Sequence, residues 1–491
     1  MSAILPLPVV LPLLTGIGLF MIRHRQDLQE RLSIASLAAN LVAALVIIRA
    51  VSGGEMLFHR MGMWPFPYGI ILAADRLTGT MLILSSAVVG ACVLFALGYL
   101  ATNERRDVFH PLIHFQLMGI QGAFLTGDLF NLFVFFEVML ISTYALMSFY
   151  YNLDQLETAF KYTCLNLIAS AFFLVGIALL YAQVGTVNMA DLALKVRELG
   201  PRPLMVLTAF VFFFVFSMKA ALFPMHLWLP SAHAISPTHI GAILAGVLVK
   251  VGIYGIIRCA TLIFVGPFER LQPIIMGVAL ATIVWGALGT LPQTSLKRIL
   301  AYSTINQLGY IAFGISLLSP LGMTAAVFYI VSHAFLKSSM LLGAGLNQKL
   351  TGTVNLDEMG GMMKKAPYAS ALLLVGFLSL AGIPPLNGFF SKLFLLQAGF
   401  IKGFYLTTGL ALLMGVVSLY YNFTTYQRMA WGTGGAEAGE ASPIMYSSVS
   451  FLAAFAVIFG LGVSWLYRWS ELVSAQITQP DLYISAMRSA F

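Results

Sequence analysis

Five side chains able to carry or release a proton stand where an apolar chain ordinarily tolerates none. They are Glu137 in FNLFVFFEVMLISTYAL, Lys219 after fifteen uncharged residues, Lys250 in AGVLVKVGIYG, Lys337 in YIVSHAFLKSSM and Lys392 after AGIPPLNGFFS. Each would cost about 2.5–3.5 kcal/mol at the centre of a lipid-exposed helix, so all five are expected to face a protein interior or a hydrated cavity. Glu137 is the one carboxylate deep in an apolar run. An unpaired buried carboxylate tends to take up a proton and an unpaired buried lysine to lose one. A Glu137–Lys219 pair that can separate would therefore work as a proton switch. A fixed ion pair that only holds helices together is the competing reading.

The surroundings offer further carriers. His226 follows Lys219 by seven residues, His333 precedes Lys337 by four, and Tyr254 lies one turn beyond Lys250. Histidine titrates near neutral pH and passes protons either way. Ser303 and Thr304 in AYSTINQLGY add hydroxyls. Two breaks stand beside two of the lysines: Pro224 after Lys219, and Gly382, Pro384 and Pro385 before Lys392. Proline removes a backbone donor, and irregular backbone at membrane depth is tolerated only against protein or water. Two broken spans five spans apart predict inverted repeats, with Lys219 and Lys392 as counterparts.

The elements that hold these groups are set by composition. Of 491 residues, 59% are hydrophobic and 9% charged, against roughly 25% charged in soluble domains. The expectation is an all-α polytopic membrane protein of about fourteen transmembrane helices, with two inverted five-helix repeats and two broken helices. The spans fall at 3–22, 32–52, 76–100, 108–127, 129–150, 158–184, 203–224, 236–262, 273–291, 298–318, 321–347, 366–400, 404–428 and 445–468. They divide into N-terminal helices with a surface hairpin (1–107), a first repeat (108–262), a second repeat (273–428) and a C-terminal helix with its tail (445–491). Residues 55–74 read as the extended hairpin, 185–203 as a short amphipathic helix and 432–443 as a flexible loop. Many of the cations behind the net charge of +8 sit in short loops, where they suit membrane anchoring, and no nucleic-acid partner is expected. Their distribution between the two sets of loops is too even to fix orientation. Cys92, Cys164 and Cys259 are isolated and read as small buried hydrophobes. Neither a metal-ligand run nor a phosphate-binding glycine loop is present, so no cofactor and no metal is expected.

Four stretches carry a resemblance: KAALFPMHLWLPSAHAISPTHIGAILAGVLVKVGIYGIIR (219–258), LKRILAYSTINQLGY (296–310), SHAFLKSSMLLGAG (332–345) and GFLSLAGIPPLNGFFSK (376–392). Together they resemble the antiporter-like subunits of respiratory complex I and of the multisubunit Mrp sodium/proton antiporters. The resemblance implies Glu137 with Lys219 as a modulating ion pair, Lys250 as the next carrier, His333 and Lys337 as a central connection, and Lys392 as the terminal exchange group. It implies a subunit of a hetero-oligomeric complex in a bacterial cell membrane, multi-pass, with both termini on the outer face, moving protons and, through the complex, sodium. It also implies a secondary transporter subunit rather than an enzyme. The alternative is the same proton path in a redox-driven pump, complex I or a membrane-bound hydrogenase.

Overall fold

The computed structural model describes residues 2–100, 106–150, 152–433 and 439–490, so residues 434–438 of the expected 432–443 loop lie outside the described residues. The chain opens with α1 (Leu7–Met21) and α2 (Gln26–Val51), then the hairpin β1 (Leu57–Arg60) and β2 (Ile71–Ala74), then α3 (Arg76–Tyr99). The strands pair antiparallel, Leu57 opposite Ala74 and Arg60 opposite Ile71, and β2 is buried against the bundle rather than lying free on its surface.

The next stretch runs α4 (Arg106–Leu125), α5 (Leu129–Met147), α6 (Leu153–Val184), the amphipathic α7 (Met189–Leu199), α8 (Pro203–Lys219) and α9 (Trp228–Ile235). It closes with one rod, Thr238–Ile263, made of α10 (Thr238–Ile243), a π turn (Leu244–Leu248), α11 (Val249–Arg258) and a second π turn (Cys259–Ile263). After it come α12 (Val265–Thr290), α13 (Leu296–Ser316), α14 (Pro320–Thr351), the short α15 (Leu356–Met359) and α16 (Met362–Lys365), α17 (Pro367–Ala381), α18 (Asn387–Ile401) and α19 (Tyr405–Trp431). The chain ends in α20 (Pro443–Leu461), α21 (Val463–Ile477) and α22 (Pro480–Ala490). Pro203, Pro320, Pro367 and Pro443 each open a helix at its first residue, where a missing N–H costs nothing.

Ten helices among the described residues are long and apolar enough to cross a membrane alone. The more polar α4 and α13 and the two broken spans complete the fourteen expected. The two broken spans fall where they are expected: the 203–224 span is regular only to Lys219, and the 366–400 span is two helices, α17 and α18. One boundary differs from expectation. The 445–468 span stops at Leu461, turns at Gly462 and continues as α21, which packs back on α3 and α14. Cys164 is exposed on α6, unlike buried Cys92 and Cys259, because its side of that helix faces outward.

The inverted repeats are visible in backbone pairing. Asp128 bridges Asn188, and 167 positions further on Ser295 bridges Asn355. The same shift carries α6, 32 residues ending at left-handed Gly185 (φ 69°), onto α14, 32 residues ending at left-handed Gly352 (φ 73°). Glycine fits both positions because it alone adopts that φ without a Cβ penalty. After each glycine comes Thr-Val-Asn, with Asn188 and Asn355 capping the next helix. On this symmetry we propose the domain division read from the sequence: the shift carries Arg106, the start of α4, onto Pro273 within α12, where the second repeat opens.

Two members of the bundle differ from the rest. In α14 and in the Thr238–Ile263 rod every residue of the most apolar stretch is buried, whereas α6 and α19 bury well under half of theirs. These two central helices carry Lys250, His333 and Lys337, which explains how such apolar segments accommodate charge.

Candidate functional site

The line of polar groups starts on α5. Glu137 is partly buried, and Ser170 of α6 donates to its Oε1. Lys219 Nζ donates to the same Ser170 hydroxyl at 3.3 Å and to the Asn166 carbonyl at 3.5 Å, with its ammonium 5.9 Å from the Phe136 ring centre. Glu137 and Lys219 thus come together as expected, but through a serine hydroxyl rather than by direct contact. A hydroxyl that donates to one partner while accepting from another is suited to passing a proton between them.

In the centre, Lys250 Nζ donates to the Ala245 carbonyl within the first π turn. Such turns widen the helix locally and recur at functional sites. His333 and His233 lie within electrostatic range of both Lys250 and Lys337. Both imidazoles are buried with no hydrogen-bond partner among the described residues, an arrangement suited to ordered water. Lys337 Nζ donates to Ser303 Oγ at 2.7 Å and to the Leu300 carbonyl at 3.1 Å.

At the far end, Lys392 Nζ donates to the Leu380 carbonyl (2.8 Å), the Ala381 carbonyl (3.4 Å) and Ser418 Oγ (3.2 Å), and lies 5.8 Å from the Tyr310 ring centre. Leu380 and Ala381 end α17, so the ammonium caps the helix terminus left open by the break at Pro384 and Pro385. Lys219 instead ends its own half-helix, before Pro224. The two lysines therefore flank their breaks from opposite sides and are not repeat counterparts.

Three expected relay members lie elsewhere. His226 does not continue the α8 face; it sits in a 3-10 turn, buried between Phe223 and Trp285 at ring-centre distances of 5.6 and 5.5 Å. The Thr304 hydroxyl bonds back to Leu300 of its own helix at 2.8 Å. The Tyr254 hydroxyl turns away from Lys250, donating to the Phe124 carbonyl (2.8 Å) and accepting from Arg258 Nε (2.9 Å).

That arginine belongs to a buried ion pair that sequence reasoning does not find. Arg258 Nη1 meets Asp75 Oδ2 at 2.7 Å, Nη2 meets Thr78 Oγ1 at 3.1 Å, and the guanidinium lies 5.8 Å from the Tyr483 ring centre. Each partner stands at the end of an apolar run and reads as a boundary charge, and only tertiary packing joins them. Ser170, Ser418 and His233 escape it as well; the Thr-Val-Asn repeat after α6 and α14 is the available signal for Ser170, because the shift of 167 places it opposite Lys337.

A bundle with inverted repeats, two broken helices and a row of buried lysines, three of them bonded to serine hydroxyls, is an ion-translocating membrane subunit in architecture. The chain belongs to the NADH:quinone oxidoreductase/Mrp antiporter transmembrane family, whose model matches residues 126–418. It is 36% identical over 490 residues to the D-type subunit of the Na(+)/H(+) antiporter of Alkalihalophilus pseudofirmus, covering 99% of both chains. Among solved structures, a chain of the Mrp complex from Dietzia sp. DQ12-45-1b superposes with a TM-score of 0.93 at 27% identity, over 99% of each chain. A chain of the membrane-bound sulfane sulfur reductase, an archaeal respiratory membrane complex, gives 0.93 at 28% identity, over 99% of this chain and all of that one.

Proposed function

We propose that the chain is the proton-translocating subunit of a multisubunit sodium/proton antiporter in a bacterial cell membrane, a transporter subunit rather than an enzyme. Protons move along Glu137, Ser170, Lys219, Lys250, His333, Lys337, Ser303, Ser418 and Lys392. The observation that carries the reading is the Ser170 bridge. It keeps the Glu137 and Lys219 charges in communication without locking them in a direct pair, which a switch needs and a staple does not. The partners are the other subunits of the complex, through which sodium exchange is coupled.

The test uses the whole assembly in membrane vesicles. Glu137→Ala and Lys219→Ala should each abolish sodium-dependent dissipation of a pH gradient while the complex still assembles. Undiminished exchange in an assembled variant would retire the reading. The likeness to a chain of an archaeal respiratory complex favours one second reading, the same proton path driven by electron transfer. Co-purified partners decide between them: quinone or iron–sulfur subunits would assign the chain to the redox machine.

A further inference from the structure

The second repeat contains a cavity that the row of lysines does not account for. Between the end of α12, the start of α13 and the last turns of α19 lies a polar space of about 500 Å³, lined by Thr290, Gln293, Tyr421, Thr424, Thr425 and Arg428 among others. It opens on the face opposite the chain termini, since the N-terminal turn packs on β1, and α22 packs on α7 and against Phe58 of the hairpin, at the other end. Its surroundings carry the Arg428–Asp357 ion pair (2.6 Å) and the exposed rings of Tyr420 and Trp431. Such side chains belong at a membrane–water boundary.

Tyr421 lines this space while remaining buried itself. Its hydroxyl accepts from Ser418 Oγ at 3.2 Å, the same hydroxyl to which Lys392 donates. It also faces Ser303, the hydroxyl to which Lys337 donates. One phenol thus adjoins both lysine branches and the cavity.

The first repeat shows the same place filled. Tyr254 stands 167 positions before Tyr421, and Arg258 the same distance before Thr425. There the Arg258 guanidinium occupies the space and is held by Asp75, with Tyr483 of α22 closing it from the terminal face. Where the second repeat has a threonine and an open polar space, the first has an arginine and a plug.

We propose that the cavity bounded by Thr290, Gln293 and Thr424 is the aqueous mouth of the proton row, and that Tyr421 passes protons between its water and Lys337 and Lys392. The phenol gives its hydroxyl proton to one neighbour as it accepts one from the other, so no charge stays on the ring. The inference rests on the proton-translocating reading above.

The whole complex in vesicles of both orientations tests it, in a background with Cys164, the exposed native thiol, replaced by serine. A membrane-impermeant cationic methanethiosulfonate should modify Thr424→Cys from one side only and lower exchange at least tenfold. Leu419→Cys, on the exposed apolar side of α19, should keep its rate under the same treatment. Tyr421→Phe should lower the maximal rate at least tenfold while leaving the sodium KM unchanged; if that variant does not assemble, the thiol experiment decides alone. Failure to modify Thr424→Cys, modification without slowing, or full exchange by Tyr421→Phe overturns the proposal, provided Glu137→Ala still abolishes exchange. Should Glu137→Ala also be silent, the proton-translocating reading fails instead.

Discussion

The two repeats share a backbone and differ in where they place charge. At positions related by the shift of 167, the first has Glu137, Ser170 and Arg258, and the second has Thr304, Lys337 and Thr425. The first repeat therefore holds a carboxylate bridged to a lysine and a plugged terminal face, while the second holds an amine among hydroxyls beside an open polar cavity. Symmetric folding supplies the two equivalent broken helices, and the side chains make the two halves chemically unequal.

The largest test of that contrast is the plug. Removing one member of a buried ion pair strands the other and costs about 3–5 kcal/mol. Arg258→Ala should accordingly reduce the assembled complex or its thermal midpoint sharply. Asp75→Asn with Arg258→Met should recover assembly, as measured by native gel and thermal shift, and normal stability of Arg258→Ala would show that the plug holds nothing.

A smaller effect is expected at Ser170. Ser170→Ala keeps Glu137 and Lys219 but removes the atom between them, and should slow exchange about tenfold, the equivalent of ~1.4 kcal/mol, with assembly intact. An undiminished rate would mean that the two charges communicate by another route. The smallest effect belongs to Thr304, the counterpart of Glu137. Its hydroxyl serves only its own helix, so Thr304→Val should hold exchange within about twofold and stability within ~0.5 kcal/mol. A large loss there would restore the hydroxyl to the row and weaken the contrast between the repeats.

Much of this is legible in the residue order. Apolar length marks the spans, prolines mark both breaks, and an ammonium in an apolar run is conspicuous because so few are tolerated there. What connects those ammoniums is not legible. Ser170, Ser303 and Ser418 are serines in apolar helices, and such serines most often bond back to their own backbone; Ser303 alone stands out, for its neighbours. The Asp75–Arg258 pair joins residues 183 positions apart, and nothing local foretells it. Helical spacing assigns Tyr254 to Lys250, yet its rotamer aims it at Arg258 instead. Spacing places a side chain on a face, but rotamer and neighbours decide what it touches.

The contacts of Lys392 carry one more consequence. Its ammonium satisfies the last two carbonyls of α17, where the interrupted helix offers no amide. A cation at a helix terminus is worth about 0.3–1 kcal/mol, and up to ~2 when partly buried. On the proposed function, a proton leaving Lys392 removes this support from the terminal turn of α17 and its return restores it, which couples the occupancy of that site to the stiffness of the kink.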